Sequence, residues 1–222
     1  MVICVQFWMR VAMIKVLTGK ERADSWALFE QLFRLRHDIF IKQRNWSIPS
    51  RLDGREIDEY DVDEAVYLFD LDDLGRIVAS VRLTPTECCS LLADCFPHLI
   101  ENGQSPRGPD IYEGMRFIFA PTLPRDEARQ VRIRILYAMV RWCIDHNIAW
   151  IQGITDVEYF RSFVDITIRT TPLGLAHPYA GGKTAPGGGE CIAFRWPASR
   201  DVLDDLCTYA RRERQFAISF TH

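Results

Sequence analysis

Residues 65–85, "AVYLFDLDDLGRIVASVRLTP", decide how this chain folds. Two apolar runs flank the turn residues "DDLG", which reads as two strands joined in a hairpin. Upstream, residues 13–18 read as a strand. Residues 21–40 carry Trp26, Leu28, Phe29, Leu32, Phe33, Leu35, Ile39 and Phe40 at spacings that suit an amphipathic helix. Residues 41–63 are polar, contain Pro49 and Gly54, and read as a long loop, of the kind that is usually functional or disordered. Downstream, "SLLADCFPHLI" suggests a short helix and "IYEGMRFIFAP" (111–121) a strand. The longest helical pattern spans 124–146, with Val131, Ile135, Tyr137, Ala138, Val140 and Trp142 among its apolar positions. "IAWIQGIT" (148–155) reads as a buried strand and "VEYFRSF" as a short helix. A glycine- and proline-rich loop (180–190), the strand "CIAFRW" and a helix from about Asp201 to Arg212 complete the chain. No internal repeat is visible. This order of elements predicts one α/β domain, residues 1–222, with a mixed sheet.

Bulk properties narrow the function. A chain of 222 residues fits one domain, or two small ones, and buries a sizeable core. Its 48% hydrophobic and 26% charged content is that of a soluble protein, and a net charge of −3 argues against a nucleic-acid binder. The cysteines (4, 88, 89, 95, 143, 191, 207) are scattered and lack paired C-x-x-C spacing, which suggests reduced thiols in a cytoplasm. In "MVICVQFWMRVAMI" the apolar run is broken by Gln6 and Arg10, has no basic start and offers no small-residue cleavage site. No segment reaches the ~20 apolar residues of a membrane span. The expectation is a cytoplasmic protein without membrane contact, with Met13 as an alternative start and residues 1–12 as an extension.

The chemistry concentrates between residues 34 and 64. Six of the nine residues from Glu56 to Glu64 are acidic, and "RLRHDIF" (34–40) and "RNW" (44–46) lie just upstream. Arg36 is able to grip a carboxylate in a fork, Phe40 falls on its helix face, and Trp46 offers a ring for a base or a cation. Carboxylates nearby suit a positive group. A zwitterion with a further cation and an aromatic group has these properties; S-adenosylmethionine is one, among many ligands of mixed charge.

The pattern as a whole is more specific. Arg36-x3-Phe40-x5-Trp46, Glu56-x-Asp58-x2-Asp61, Arg82 in "SVRLTPT" and Glu113-x2-Arg116 in "YEGMRF" together resemble the acyl-homoserine-lactone synthases, the LuxI-type autoinducer synthases of quorum sensing. The resemblance implies an α-β-α sandwich around a splayed mixed sheet, similar to the acyl-CoA N-acetyltransferases. It implies an acyltransferase in which the amine of S-adenosylmethionine, a substrate and not a cofactor, attacks an acyl thioester. Lactone closure then releases methylthioadenosine. Glu113 and then Asp58 are the candidate bases. Arg36, Phe40, Trp46, Glu56, Asp61, Arg82 and Arg116 are the candidate S-adenosylmethionine residues, and backbone N–H groups near Phe117–Phe119 the candidate oxyanion donors. An acyl tunnel between the sheet and the 124–146 helix would be lined by Phe117, Met139, Trp142 and Trp150. Thr155 stands where the family often has a threonine that influences 3-oxo recognition. The donor is acyl-carrier protein or acyl-CoA. The junction "APTLPRDEARQVRIR" has no glycine to cradle a CoA pyrophosphate, and Arg125, Arg129, Arg132, Arg134 and Arg141 form either a carrier-docking face or a solvated one.

Blander readings stand beside these. Arg36 and Arg82 are potential structural ion-pair partners of Asp58 and Asp61, and Phe40 and Trp46 potential core aromatics. The odd spacing of Glu113 and Arg116 places them on opposite faces of a strand. Cys88, Cys89, Cys95 and His98 lack zinc spacing, so no metal is expected. His37, His146 and His177 show no partnered nucleophile. The rival functions are an acetyl-CoA-dependent N-acetyltransferase and a non-catalytic ligand-binding protein on the same fold.

Overall fold

The computed structural model describes residues 2–5, 12–46, 48, 52–179 and 189–219. Val2–Val5 (β1) and Ala12–Thr18 (β2) pair antiparallel, and β2 hands on to Val66–Leu71 (β3), which forms the expected hairpin with Ile77–Pro85 (β4). Between β2 and β3 runs helix Trp26–His37 (α1), and between β4 and strand Ile111–Phe119 (β5) the short helix Leu91–Cys95 (α2). Helix Arg125–Asp145 (α3) crosses over to Trp150–Asp156 (β6), which runs parallel to β5. Helix Val157–Ile166 (α4), the short strands Thr171–Pro172 (β7) and His177–Tyr179 (β8), strand Gly189–Pro197 (β9) and helix Arg200–Ser219 (α5) follow. Strand order is β1-β2-β3-β4-β5-β6-β9-β7, with β8 also on β9. The final helix runs further than expected, and β7 and β8, with five residues in total (two and three), have no signal of their own in the sequence. Most of the glycine-rich segment, residues 180–188, lies outside the described residues.

Both sheet faces are covered, giving the expected sandwich. Val66, Leu68, Val81 and Leu83 pack with α3, α4 and α5, whereas Tyr67 and Phe69 pack with α1. The alternation arises from the strand's two-residue period. On β4 the positions facing α1 are Ser80, Arg82 and Thr84, all essentially inaccessible. The guanidinium of Arg82, buried in this way, must be met by charge from across the layer.

Helix α1 adds a second guanidinium to the same buried layer. Phe29, Leu32, Phe33 and Arg36 fall at i, i+3, i+4 and i+7, so the core face of the helix carries Arg36 inward. Burial of the three apolar side chains contributes about 1.5–3 kcal/mol each. That is enough to draw in a guanidinium only if its charge is met. The expected helix over 21–40 is in fact a 3₁₀ turn (Gly19–Arg22), α1, and then a π-helical stretch, Asp38–Gln43. The wider turn, marked by the Arg44 N–H donating to the Ile39 carbonyl, lets Ile39 and Phe40 both face inward.

The sheet splays at one joint. β5 and β6 pair only from Ile111/Trp150 to Gly114/Gly153. Beyond that rung β5 continues to Phe119 and β6 to Asp156 without pairing to each other. A Cβ built on Gly153 would meet the Gly114 carbonyl oxygen at 3.1 Å, so the last rung closes backbone to backbone.

Candidate active site

Six charged side chains lock together beneath β4. Arg36 donates through Nη1 and Nη2 to the two Asp61 oxygens at 2.8 and 3.0 Å, and through Nε to Glu56. Arg82 meets Asp58 through Nη1 and Nη2 at 2.6 and 3.0 Å, and reaches Asp61 at 2.6 Å. Arg116 Nη2 lies 2.9 Å from Glu56 and 2.8 Å from Asp58. The Tyr67 hydroxyl adds a bond to Asp61 at 2.8 Å. Three guanidinium groups thus face three carboxylates, and the charges cancel within the cluster. Burial alone would push the carboxyl of Glu56 up, but Arg36 and Arg116 outweigh it and hold it below the ordinary value. Asp61 is likewise held far below the carboxylate range, its burial overcome by Arg36 and Arg82.

Local chain geometry makes this cluster possible. The long 41–63 segment is not structureless around the acids: the Glu56 N–H donates to the Phe33 carbonyl, and the Asp58 N–H donates to an Asp61 side-chain oxygen at 2.9 Å. On β5 a bulge sets Met115 opposite Arg82 but Ile118 opposite Ser80, and Arg116 takes a φ of +52°. Such a backbone costs a side-chain-bearing residue about 1–3 kcal/mol and persists where surrounding contacts hold it. The bulge also overturns the expectation that Glu113 and Arg116 face opposite ways. The extra residue resets the two-residue alternation, and both line one cavity.

That cavity, about 580 Å³, opens in the splay between β5 and β6. At one end Phe40 and Trp46 stack at 4.8 Å and 14°, with Arg44 over both rings and Arg116 5.2 Å from the Phe40 centroid. In the middle stands Glu113, fully buried; it accepts from the Ser90 hydroxyl at 2.6 Å and the Leu92 N–H at 3.0 Å. Burial raises its pKa against those bonds, so Glu113 holds a proton more firmly than a free glutamate. Toward the far end the walls turn apolar, with Phe117, Leu136, Met139, Phe163, Phe194 and Trp196, and Thr155 at the end of β6.

The expected site residues therefore divide. Phe40, Trp46, Glu113, Arg116, Phe117, Met139 and Thr155 line the cavity. Arg36, Glu56, Asp58, Asp61 and Arg82 sit behind its wall in the ion cluster, Arg36 and Arg82 each 1% exposed. Trp142 and Trp150 stand off the cavity: Trp142 packs on Tyr112 and His146, and Trp150 lies under the Arg195 guanidinium at 4.4 Å. In the basic set on α3, Arg134 pairs with the buried Asp70 at 2.7 Å, Arg129 with Glu213, Arg141 with Asp145, and Arg132 donates to the Tyr209 hydroxyl. These arginines serve intramolecular contacts. Ser90, which caps α2 and bonds Glu113, and Arg44, which flanks the ring stack, received no role from sequence reasoning. Among the described residues no group of histidines, cysteines and carboxylates has metal-site geometry, and no helix is long and apolar enough to cross a membrane.

Comparison with known proteins shows which sequences and folds the chain is similar to. The profile of the autoinducer synthase family matches residues 20–166. An isovaleryl-homoserine lactone synthase from Bradyrhizobium diazoefficiens is 36% identical over 163 residues, 73% of each chain. The solved structure of a CoA-dependent acyl-homoserine lactone synthase, BjaI, with S-adenosylmethionine and isopentyl-CoA superimposes with a TM-score of 0.75 at 33% identity, covering 88% of this chain and 87% of that one. An acyl-CoA N-acyltransferase from Pseudomonas aeruginosa shares the fold at 15% identity and a TM-score of 0.53, covering 83% of this chain and 99% of the other.

Proposed function

Because this chain belongs to the autoinducer synthase family, whose matched relatives are acyl-homoserine-lactone synthases, we propose that it transfers an acyl group from a thioester to S-adenosylmethionine and closes the product to the lactone. The observation that carries this reading is Glu113, a buried carboxyl of raised pKa in the splay of the sheet, between a cationic aromatic end and an apolar tunnel.

Each part of the cavity has a step to perform. S-adenosylmethionine occupies the Phe40–Trp46 end, where Arg44 and Arg116 face its carboxylate. Glu113, in its carboxylate form, takes a proton from the ammonium, directly or through water. Asp58, bidentate on Arg82, is the weaker base candidate, because its lone pairs are already committed. The freed amine attacks the thioester carbon; the C–N bond forms, the C–S bond breaks, and the thiol leaves with a proton. The methionine carboxylate then displaces the sulfonium at the γ-carbon, which yields the lactone and methylthioadenosine without a further base. Arg36, Arg82, Glu56 and Asp61 act through the wall they stiffen behind Phe40 and Arg116. The acyl chain lies along Phe117, Met139 and Thr155. Acyl-CoA is the first donor to test, since BjaI is CoA-dependent; acyl-carrier protein is the second. The reaction suits a cytoplasmic protein, consistent with free thiols at the described cysteines.

The test is production of the lactone. The protein is expressed in a bacterium that makes none, and solvent-extracted medium is searched by mass spectrometry for the homoserine-lactone fragment. Purified protein is then given S-adenosylmethionine and a panel of acyl-CoAs, isovaleryl-CoA included, and acyl-carrier proteins. Methylthioadenosine release with one of them is expected. Silence with the whole panel would overturn the reading.

A further inference from the structure

Gln152 is a polar residue on a strand whose neighbours Ile151 and Ile154 are apolar, and it is 1% exposed. It sits directly beside Glu113 in the parallel pairing of β5 and β6, and it lines the cavity. Its Nε2 donates to the Ser105 hydroxyl at 3.3 Å, and the amide stands next to the Glu113 carboxylate across the strand pairing. A carboxylate accepts and cannot donate, so the NH₂ end of the amide is fixed on that side. The Oε1 atom is buried and has no hydrogen-bond partner among the described residues. A buried carbonyl oxygen left in this condition costs about 1–3 kcal/mol unless something meets it.

We infer that Gln152 Oε1 is a substrate contact: it accepts a hydrogen bond from the amine of S-adenosylmethionine as Glu113 removes its proton. The inference rests on the function proposed for this site. After the proton leaves, the amine keeps two N–H bonds and one lone pair. Anchoring one N–H on Gln152, beside the base, leaves the lone pair free to meet the thioester carbon. Of the next positions in the cavity wall, Ile151 offers no side-chain acceptor and Met115 only a weakly accepting thioether sulfur, already met by Arg82 at 3.7 Å. The chemistry that fits is a primary amine next to a cationic centre, held by two adjacent acceptors of which one is charged.

The test is Gln152→Leu, which keeps size and removes both polar atoms, with Gln152→Met as a second variant should the first not fold. Acyl transfer is followed by methylthioadenosine release over a pH series, with the KM for S-adenosylmethionine and for acyl-CoA measured separately. A fall of about tenfold to a hundredfold in kcat/KM for S-adenosylmethionine is expected, the worth of one hydrogen bond to a charged group. The KM for acyl-CoA should stay within twofold. If instead only the acidic limb of the pH profile moves, with kcat/KM on the plateau unchanged, Gln152 acts solely through Glu113 and the inference fails. Wild-type values throughout also overturn it. Inactivity of the wild-type protein counts against the proposed reaction, and is thereby told apart from failure of the Gln152 contact.

Discussion

Replacing Asp61 by asparagine tests whether the charged cluster is scaffold. Asp61 accepts from Arg36 at 2.8 and 3.0 Å, from Arg82 at 2.6 Å, from Tyr67 at 2.8 Å and from the Asp58 N–H at 2.9 Å. Asparagine keeps the volume but offers one oxygen and turns an NH₂ toward these donors. It also leaves a cluster of three guanidiniums and two carboxylates with a net positive charge inside the protein. Removing one partner of a buried ion pair costs about 3–5 kcal/mol, because the other charge stays buried. At a urea slope of about 2 kcal/mol per molar, the midpoint should fall by about 1.5–2.5 M. Urea unfolding followed by tryptophan fluorescence measures it. Adding Arg36→Met to Asp61→Asn removes the stranded cation, so the double variant should lose less than the sum of the singles. A loss below about 1 kcal/mol for Asp61→Asn, or strict additivity, would refute the scaffold reading. Lost activity at an unchanged midpoint would put Asp61 at the substrate instead.

The remaining expectations come from the same two groups of acids. Tyr67→Phe removes one donor to Asp61 and should cost about 1.5–3 kcal/mol in urea unfolding, less than Asp61→Asn; a neutral result would break the ranking. Glu56 and Asp61 have depressed folded-state pKa values, so their contribution to stability is complete above their ordinary values of 4.5 and 3.8 and fades as pH falls below them. The urea midpoint should drop on acidification through that window, and less steeply in Asp61→Asn. Glu113 runs the other way: its folded pKa is raised above 4.5, so ionising it costs stability as pH climbs from 4.5 to the folded value. Glu113→Gln should then unfold no earlier than wild type at pH 7, yet lose about 10²–10⁴ in kcat and the acidic limb of the pH–rate profile. A Gln variant that keeps that limb would remove Glu113 from the base role.

Much of this architecture was legible from residue order. The 29, 32, 33, 36 spacing of α1 already aims Arg36 at the core, and the two strands about "DDLG" pair as read. Features set by one extra residue were not visible in the sequence. The bulge at Arg116 and the π turn at Asp38–Gln43 each shift the register of the residues beyond them, and no residue type there announces it. Partners distant in the chain were equally hidden. Arg134 meets Asp70 and Arg129 meets Glu213 only because α3 lies across the sheet and α5 across α3. For the site, carboxylates and arginines were legible as a set, but which line the cavity and which face each other depends on that packing. Gln152 did leave a sign, as a polar residue in an otherwise buried-type strand.

The Gly114–Gly153 rung is where the antiparallel meander β1–β5 and the antiparallel group of β6, β9, β7 and β8 are welded by a parallel seam. Past the weld the strands diverge like the arms of a caliper, and the gap between the arms is the cleft itself. With 3.1 Å between a Cβ at 153 and the opposite carbonyl, even a methyl group there needs a few tenths of an ångström of give. Displacement at a pivot grows with distance along the arms, so that small give becomes a larger change in gauge at Phe119 and Asp156. The bore of the cleft, where the acyl chain is proposed to lie, is thus governed by the side-chain-free pivot as well as by the residues that line its walls.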